Sequence, residues 1–200
     1  MIEQLILVRH GETLHNVNRI TQGWLDSELS DRGHRQVDQL ASRLTSYRPD
    51  AIFSSPLARA RTTADAIARV TGLEIVMLDD LREMNYGGWE GRSFLDIRKS
   101  EEDHYRRWSD DPSYPCPGGE SHHDVLARMQ RVFEAVRDAR RPVLVSHGTA
   151  IRIAATALLN VPILTARQLA QDNASINVFV SRGDTFVLKV WNDTTHCSEG

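Results

Sequence analysis

Apolar residues in this chain come either in short continuous runs or at intervals of three to four positions, and the two patterns alternate. Residues 2–8, rich in Leu, Ile and Val, have the pattern of a strand buried on both faces. Ser30 then precedes "DRGHRQVDQLASRLTSY", where Val37, Leu40, Ala41 and Leu44 recur at helical spacing until Pro49 ends the segment. "AIFSS" predicts a second strand. In "SPLARARTTADAIARVTG", Ser55 fits an N-cap, Pro56 the first helical position and Gly72 the stop. "LEIVML" predicts a third strand, and 79–92 a glycine-rich loop. Residues 100–120, with Pro112, Pro115, Pro117 and paired glycines, predict an irregular or only partly helical stretch. "ESHHDVLARMQRVFEAVRDA" places Val125, Met129, Val132, Phe133 and Val136 on one helical face; "PVLVS" follows as a strand and "GTAIRIAATALLN" as a buried helix. "ASINVFV" and "TFVLKVW", around Arg182-Gly183-Asp184, predict an antiparallel hairpin, with "NDTTHCSEG" as a surface tail.

Alternating strands and helices predict an α/β fold: a three-layer sandwich, its mostly parallel central sheet flanked by helices, with a C-terminal antiparallel hairpin. No repeat, low-complexity tract or linker interrupts the chain, so 1–200 is expected to form a single domain, with 100–120 covering the substrate site.

Composition narrows the function. With 40% hydrophobic residues, 200 positions suffice for a sizeable core. A formal charge of -3 argues against general nucleic-acid or membrane-surface binding, which needs a basic face; any basic site is local. Cys116 and Cys197 are too few and too far apart for a disulfide framework or a zinc site, which fits a reducing compartment. The apolar run "LILV" is too short for a signal-peptide core, and no run approaches membrane-spanning length. The expectation is a cytoplasmic protein; an exposed sheet edge or the terminal hairpin offers a route to a homodimer.

Two strands end in the same unusual way, in Arg9-His10-Gly11 and in Ser146-His147-Gly148. Ligands of open α/β sheets bind beyond the carboxyl ends of the strands. Glycine after each histidine is expected to let the chain turn sharply and approach a ligand. If the two strands are neighbours, His10 and His147 face each other across one pocket with Arg9 beside them. A lone histidine there would be a polar strand cap, but a matched pair with an arginine points to a site. Arginine presents a fork that matches carboxylate or phosphate oxygens. Arg59, in the first turn of the helix starting at Ser55-Pro56, joins it at an end where free N–H groups and the helix dipole already favour an anion. Arg61 points elsewhere. The convergence predicts a phosphate pocket without a metal.

These residues belong to five motifs, "RHGET" at 9–13, "SSPLARARTTA" at 54–64, "REMNYGGWEG" at 82–91, "PGGES" at 117–121 and "VSHG" at 145–148. In this order they closely resemble the histidine phosphatase superfamily, which includes cofactor-dependent phosphoglycerate mutases and many small phosphatases. The resemblance runs from residue 2 to about residue 180. It implies that His10 is the nucleophile, transiently phosphorylated on a ring nitrogen. Arg9, Arg59 and His147 hold the phosphoryl oxygens, and Glu83 gives a proton to the leaving oxygen and takes one from the attacking water. It also implies that Asn16, Gln22-Gly23 and Gly148 contact the phosphate or close over it; ordinary turn residues are the alternative for the first three. No cofactor is implied, and the partner is a small phosphorylated metabolite. Neutral imidazole attacks phosphorus directly, and transfer needs mainly positioning and positive charge around the equatorial oxygens.

Other polar residues have competing explanations. Ser121 shapes the pocket wall or caps the following helix; Glu90 reads as a solvated loop carboxylate; the adjacent His122 and His123 point in different directions and are expected to be exposed. His15, His34, His104 and His196 carry no pairing signal. Tyr105, Trp108 and Tyr114 offer an apolar wall and Arg106 or Arg107 a contact for an acidic substrate, or else the aromatics only pin the segment to the core. Within the resemblance, phosphatase is favoured over mutase. Only 84–146 separates the glutamate from the second histidine motif, and that segment is acidic as well as basic; Tyr86-Gly87 is a mutase-like feature. A serine hydrolase is excluded, because "VSHGT" lacks the glycine two residues before Ser146. A non-catalytic phospho-ligand module would lack the nucleophile or acid, and both His10 and Glu83 are present.

Overall fold

A computed structural model describes residues 1–197. Strands β1 (Gln4–Arg9), β2 (Ala51–Ser54), β3 (Ile75–Met77), β4 (Pro142–Ser146), β5 (Ile176–Arg182) and β6 (Thr185–Asp193) form one sheet in the order β3-β2-β4-β1-β5-β6. The first four run parallel; β5 is antiparallel to β1, and β6 to β5. The predicted hairpin is therefore not an appendage but the sheet's antiparallel edge, closed by a two-residue turn at Gly183-Asp184.

Strand side chains alternate between two cores. Leu5, Leu7, Leu144 and Phe179 meet α6 (His122–Ala135) and α7 (Gly148–Leu159) on one face. Ile6, Val8, Val143, Val145 and Val178 meet α2 (Asp31–Leu44) and α3 (Ala58–Thr71) on the other. Burial on both faces explains why these strands are apolar at every position rather than every second one. Three layers result, with helices on either side of the sheet.

Local chemistry sets the helix ends. Ser30 caps α2 by accepting from the Gly33 N–H at 3.0 Å. Ser121 forms a capping box with Asp124 at the start of α6, deciding for the cap between its two explanations. Gly72 ends α3 in the left-handed conformation at φ 72. The predicted cap of α3 is a correction: the helix starts at Ala58, with Ser55 and Pro56 outside it, and the Ala58 N–H donates to Asp26 Oδ1 at 3.1 Å. The buried Ser55 hydroxyl instead bonds His147, 2.8 Å away.

A short helix α1 (Leu14–Val17) precedes α2, and between β3 and α6 lie α4 (Phe94–Ser100) and α5 (Glu102–Asp110); 100–120 is thus partly helical, as expected, with 111–120 irregular. Ser93 caps α4 by accepting from Asp96 N–H. Ile97 of α4 and Ser109 of α5 are buried, and the rings of Phe94, Tyr105 and Trp108 pack against one another. The tail is also less detached than expected: Asn192 and Asp193 complete β6, and His196 bonds the Ala174 carbonyl at 3.0 Å. The last three residues of the predicted tail lie outside the described residues. No helix among the described residues is long and apolar enough to cross a membrane.

Candidate active site

Strands β1 and β4 are adjacent and in register, Arg9 opposite Ser146, so both chains leave the sheet at the same level. His10 N–H donates to the Ser146 carbonyl at 3.2 Å, and the His10 and His147 ring centroids lie 5.0 Å apart. The predicted encounter of the two His-Gly ends is thus a consequence of strand order. The role expected of Gly11 differs. A Cβ there would lie 2.6 Å from Val37 and 2.8 Å from the Gly33 carbonyl, so the small residue is needed for close approach to α2 rather than to a ligand.

His10 is 2% exposed. Its Nδ1 lies 2.7 Å from the Gly11 carbonyl, which only accepts, so Nδ1 carries the proton and Nε2 keeps its lone pair. Burial first, then Arg59 and Arg9, push this imidazole well below the ordinary histidine value and keep it neutral. His147 is fully buried, and its acidity is displaced the same way by burial, Arg59 and His10. Arg59 Nε donates to its Nδ1 at 3.2 Å, so Nε2 donates to Ser55 Oγ. Both His147 nitrogens are engaged and the residue is not part of the cleft lining, whereas the resemblance implies that it holds phosphoryl oxygens.

The cleft has a volume of about 240 Å³. Arg9, His10, Arg59 and Arg152 line it, with Glu83 as its one carboxylate among the described residues. Arg9 donates through Nη1 to the Gln171 carbonyl, and its Nε is buried without a partner among the described residues. A buried guanidinium N–H without an acceptor costs free energy and suits an incoming oxyanion. Arg59, 2% exposed, binds the Leu25 carbonyl at 2.8 Å and the Gly23 carbonyl at 2.6 Å. Burial lowers it to about 10, so it remains cationic near neutral pH. Arg61 is exposed, as expected.

Glu83 lies at the start of α7. Its carboxylate accepts from Thr149 N–H at 3.1 Å, and from Ala150 and Met84 N–H at 3.0 and 2.9 Å. It thereby satisfies helix-terminal donors that His147, at the N-cap, leaves open. Arg128, buried in α6, donates to the Asp80, Arg82 and Glu83 carbonyls and pairs with Glu120, clamping the segment that carries Glu83.

Asn16 Oδ1 accepts from Thr13 N–H and from Asn173 Nδ2, both at 3.1 Å; among the described residues no partner holds its own amide N–H group, and the residue lines the cleft. Gln22 lines it too, its carbonyl oxygen held by the Thr13 hydroxyl at 3.1 Å. Gly23 has φ +54, and a Cβ there would lie 2.0 Å from Glu90 Oε1, so only glycine fits. Gly148 lies against Arg9, and a Cβ there would meet its Cζ at 3.5 Å.

Several side chains depart from expectation. Glu90 is no solvated loop carboxylate: it accepts from Trp24 N–H at 2.9 Å and Tyr86 N–H at 3.1 Å, fixing the loop whose carbonyls hold Arg59. His122 is buried rather than exposed, because the first turn of α6 packs its ring 4.9 Å from Trp108. Tyr105 and Trp108 do form a wall beside the cleft, whereas Tyr114 only packs on His104 and Arg107. Arg106 pairs with Asp103 and Arg107 lies over Tyr114, so the basic residues facing the wall are Arg152 and Arg167. Arg152 was missed although a signal existed. It is the single charge in the apolar helix after His147, one turn from Gly148 and hence on the face that meets the site. Gln171 and Asn173 come from an irregular loop with no periodicity to mark them.

Among the described residues, no group of three or more His, Cys, Asp or Glu side chains is gathered as metal ligands would be. The chain is 38% identical over 179 residues to a probable phosphoglycerate mutase of Shigella boydii, covering 87% of this chain and 83% of that one. It is 35% identical over 200 residues to phosphoserine phosphatase 1 of Hydrogenobacter thermophilus, covering 98% and 95% respectively. A mycobacterial glucosyl-3-phosphoglycerate phosphatase, solved with VO3, superposes with a TM-score of 0.88 at 33% identity over 95% of this chain and 98% of that one. The family model that matches residues 5–194 spans all five motifs and every wall of the cleft, and by it the chain belongs to branch 1 of the histidine phosphatase superfamily.

Proposed function

We propose that the protein is a phosphomonoesterase that hydrolyses a small phosphorylated metabolite through a phosphohistidine on His10. The observation that carries this reading is the His10 imidazole, held neutral with Nδ1–H on the Gly11 carbonyl, beside a buried Arg9 Nε that lacks an acceptor. Nε2 attacks phosphorus as the bond to the ester oxygen breaks, and Glu83 delivers a proton to that oxygen. Water then attacks the phosphorus, the N–P bond breaks, and Glu83 takes the proton that water loses. Arg9, Arg59 and the Asn16 amide meet the equatorial oxygens, where charge concentrates during transfer. His147 orients Arg59, whose Nε donates to its Nδ1, and packs its ring against His10.

The test is hydrolysis of 4-nitrophenyl phosphate in EDTA. Turnover by the wild type, its loss in His10→Ala, and an acid-labile phosphoenzyme on rapid quench support the reading. Tight phosphate binding without turnover would instead identify a binding module. A mutase is the second reading, favoured by Tyr86-Gly87 and by the name of the Shigella relative. It requires transfer to phosphoglycerate to outrun transfer to water, which a 3-phosphoglycerate assay with and without its bisphosphate decides.

A further inference from the structure

Next to the catalytic cleft lies a second cavity of about 210 Å³, and the two share Tyr86, Phe94, Thr149 and Arg152. Its farther lining includes Trp108, His122 and Arg167, and no carboxylate takes part. Two buried polar atoms in this lining, His122 Nδ1 and Trp108 Nε1, have no hydrogen-bond partner among the described residues. His122 is 5% exposed. Burial first, then Arg152 and Arg167, lower it to about 4, so its ring is neutral near pH 7 and either donates or accepts. Buried polar atoms in folded proteins nearly always have partners, so two orphans in one cavity mark a place where a ligand supplies them.

The charges point the same way. Arg152 uses Nε on the Gly148 carbonyl and Nη2 on the Thr149 hydroxyl; it has no ion-pair partner among the described residues, and its Nη1 is uncommitted. Arg167 donates through Nη1 to the Ser109 carbonyl and has only a 3.7 Å contact with Asp110. The remaining surface is flat and apolar, built from Phe94, Tyr105 and Trp108.

We infer that this cavity receives the leaving group of the phosphomonoester, and that this group carries a carboxylate beside a flat apolar body. The Arg152 fork meets the carboxylate, and Arg167 adds positive charge at the rim. The aromatic side chains take the body, the Trp108 indole N–H donates to one of its acceptors, and His122 Nδ1 donates or accepts according to its tautomer. This inference rests on the phosphatase reading and specifies the substrate class for the same site.

The experiment compares kcat/KM for 4-carboxyphenyl phosphate and for its methyl ester, which has the same shape and no charge. The ester has the better leaving group, so intrinsic reactivity works against the expected result. The wild type should favour the carboxylate by roughly tenfold or more, the worth of one charge-assisted hydrogen bond. Arg152→Met and Arg167→Met should each reduce that ratio, the former more. Because Arg152 also lines the catalytic cleft, the variants are judged on the ratio and not on the absolute rate. The wild-type comparison needs no variant to fold. Equal turnover of both esters, abolished by His10→Ala, overturns the inference and leaves the phosphatase reading standing. No turnover of either ester or of 4-nitrophenyl phosphate by folded protein overturns both.

Discussion

His122 provides a measurable consequence of burying a neutral imidazole. Its value falls from the ordinary 6.5 to about 4 in the folded protein. Between those limits the unfolded chain holds a proton that the folded chain does not, so stability falls as pH drops through this window. At about 1.4 kcal/mol per pH unit, the His122 contribution lost by pH 4.5 is about 2–3 kcal/mol. His10 and His147 are displaced in the same direction, so the wild type should lose stability steeply below pH 6.5. The carboxylates Asp124 and Asp193, held low by hydrogen bonds, start from 3.8 and act mainly below this range, while Glu101, held low from 4.5 by Trp89 and Arg92, contributes equally whichever residue stands at 122. The assay is thermal unfolding at pH 7.5 and pH 4.5 of wild type and His122→Phe, whose ring keeps the packing against Trp108. A domain of this size loses about 2–4 °C per kcal/mol, so the acid-induced drop in Tm should be smaller in the variant by roughly 5–10 °C. Parallel pH dependences of the two proteins would refute the burial of a neutral His122.

Three further substitutions probe the scaffold of the site. Glu90→Ala removes the acceptor for the Trp24 and Tyr86 N–H groups and should cost about 1–3 kcal/mol in urea unfolding; kcat/KM should fall as the loop releases Arg59, while Glu90→Gln, which keeps an oxygen acceptor, restores most of both. Arg128→Met leaves Glu120 without its cation and the Asp80 and Arg82 carbonyls without donors, the Glu83 carbonyl keeping Trp24 Nε1–H, so chemical denaturation should register a loss of about 3–5 kcal/mol. Ser55→Ala leaves the His147 Nε2–H unpaired inside the protein and should lower stability by about 1–3 kcal/mol; kcat is expected to fall more than KM changes, and unchanged kinetics would show that the hydroxyl does not fix the imidazole.

Part of this molecule is written locally. The doubly buried strands, the amphipathic stripe Val37, Leu40, Ala41 and Leu44, the cap at Ser30 and the stop at Gly72 follow from spacing and side-chain type, because they depend on neighbours within a few positions. Arg9, His10, Arg59 and His147 were legible for the same reason, since each sits at the end of a strand or the start of a helix. What only the tertiary structure decided is which of these ends meet. Placing β4 between β1 and β2 brings His10 and His147 together, and with them Arg59 from α3. The same packing buried His122, gave Ser55 to His147 instead of its own helix, and turned Glu90 into an anchor for the Trp24 loop. Ser55 and His147 are 92 positions apart, and Glu90 and Trp24 are 66 apart. Burial and hydrogen bonding at such distances are fixed by the sheet's strand order, which no short window of sequence contains.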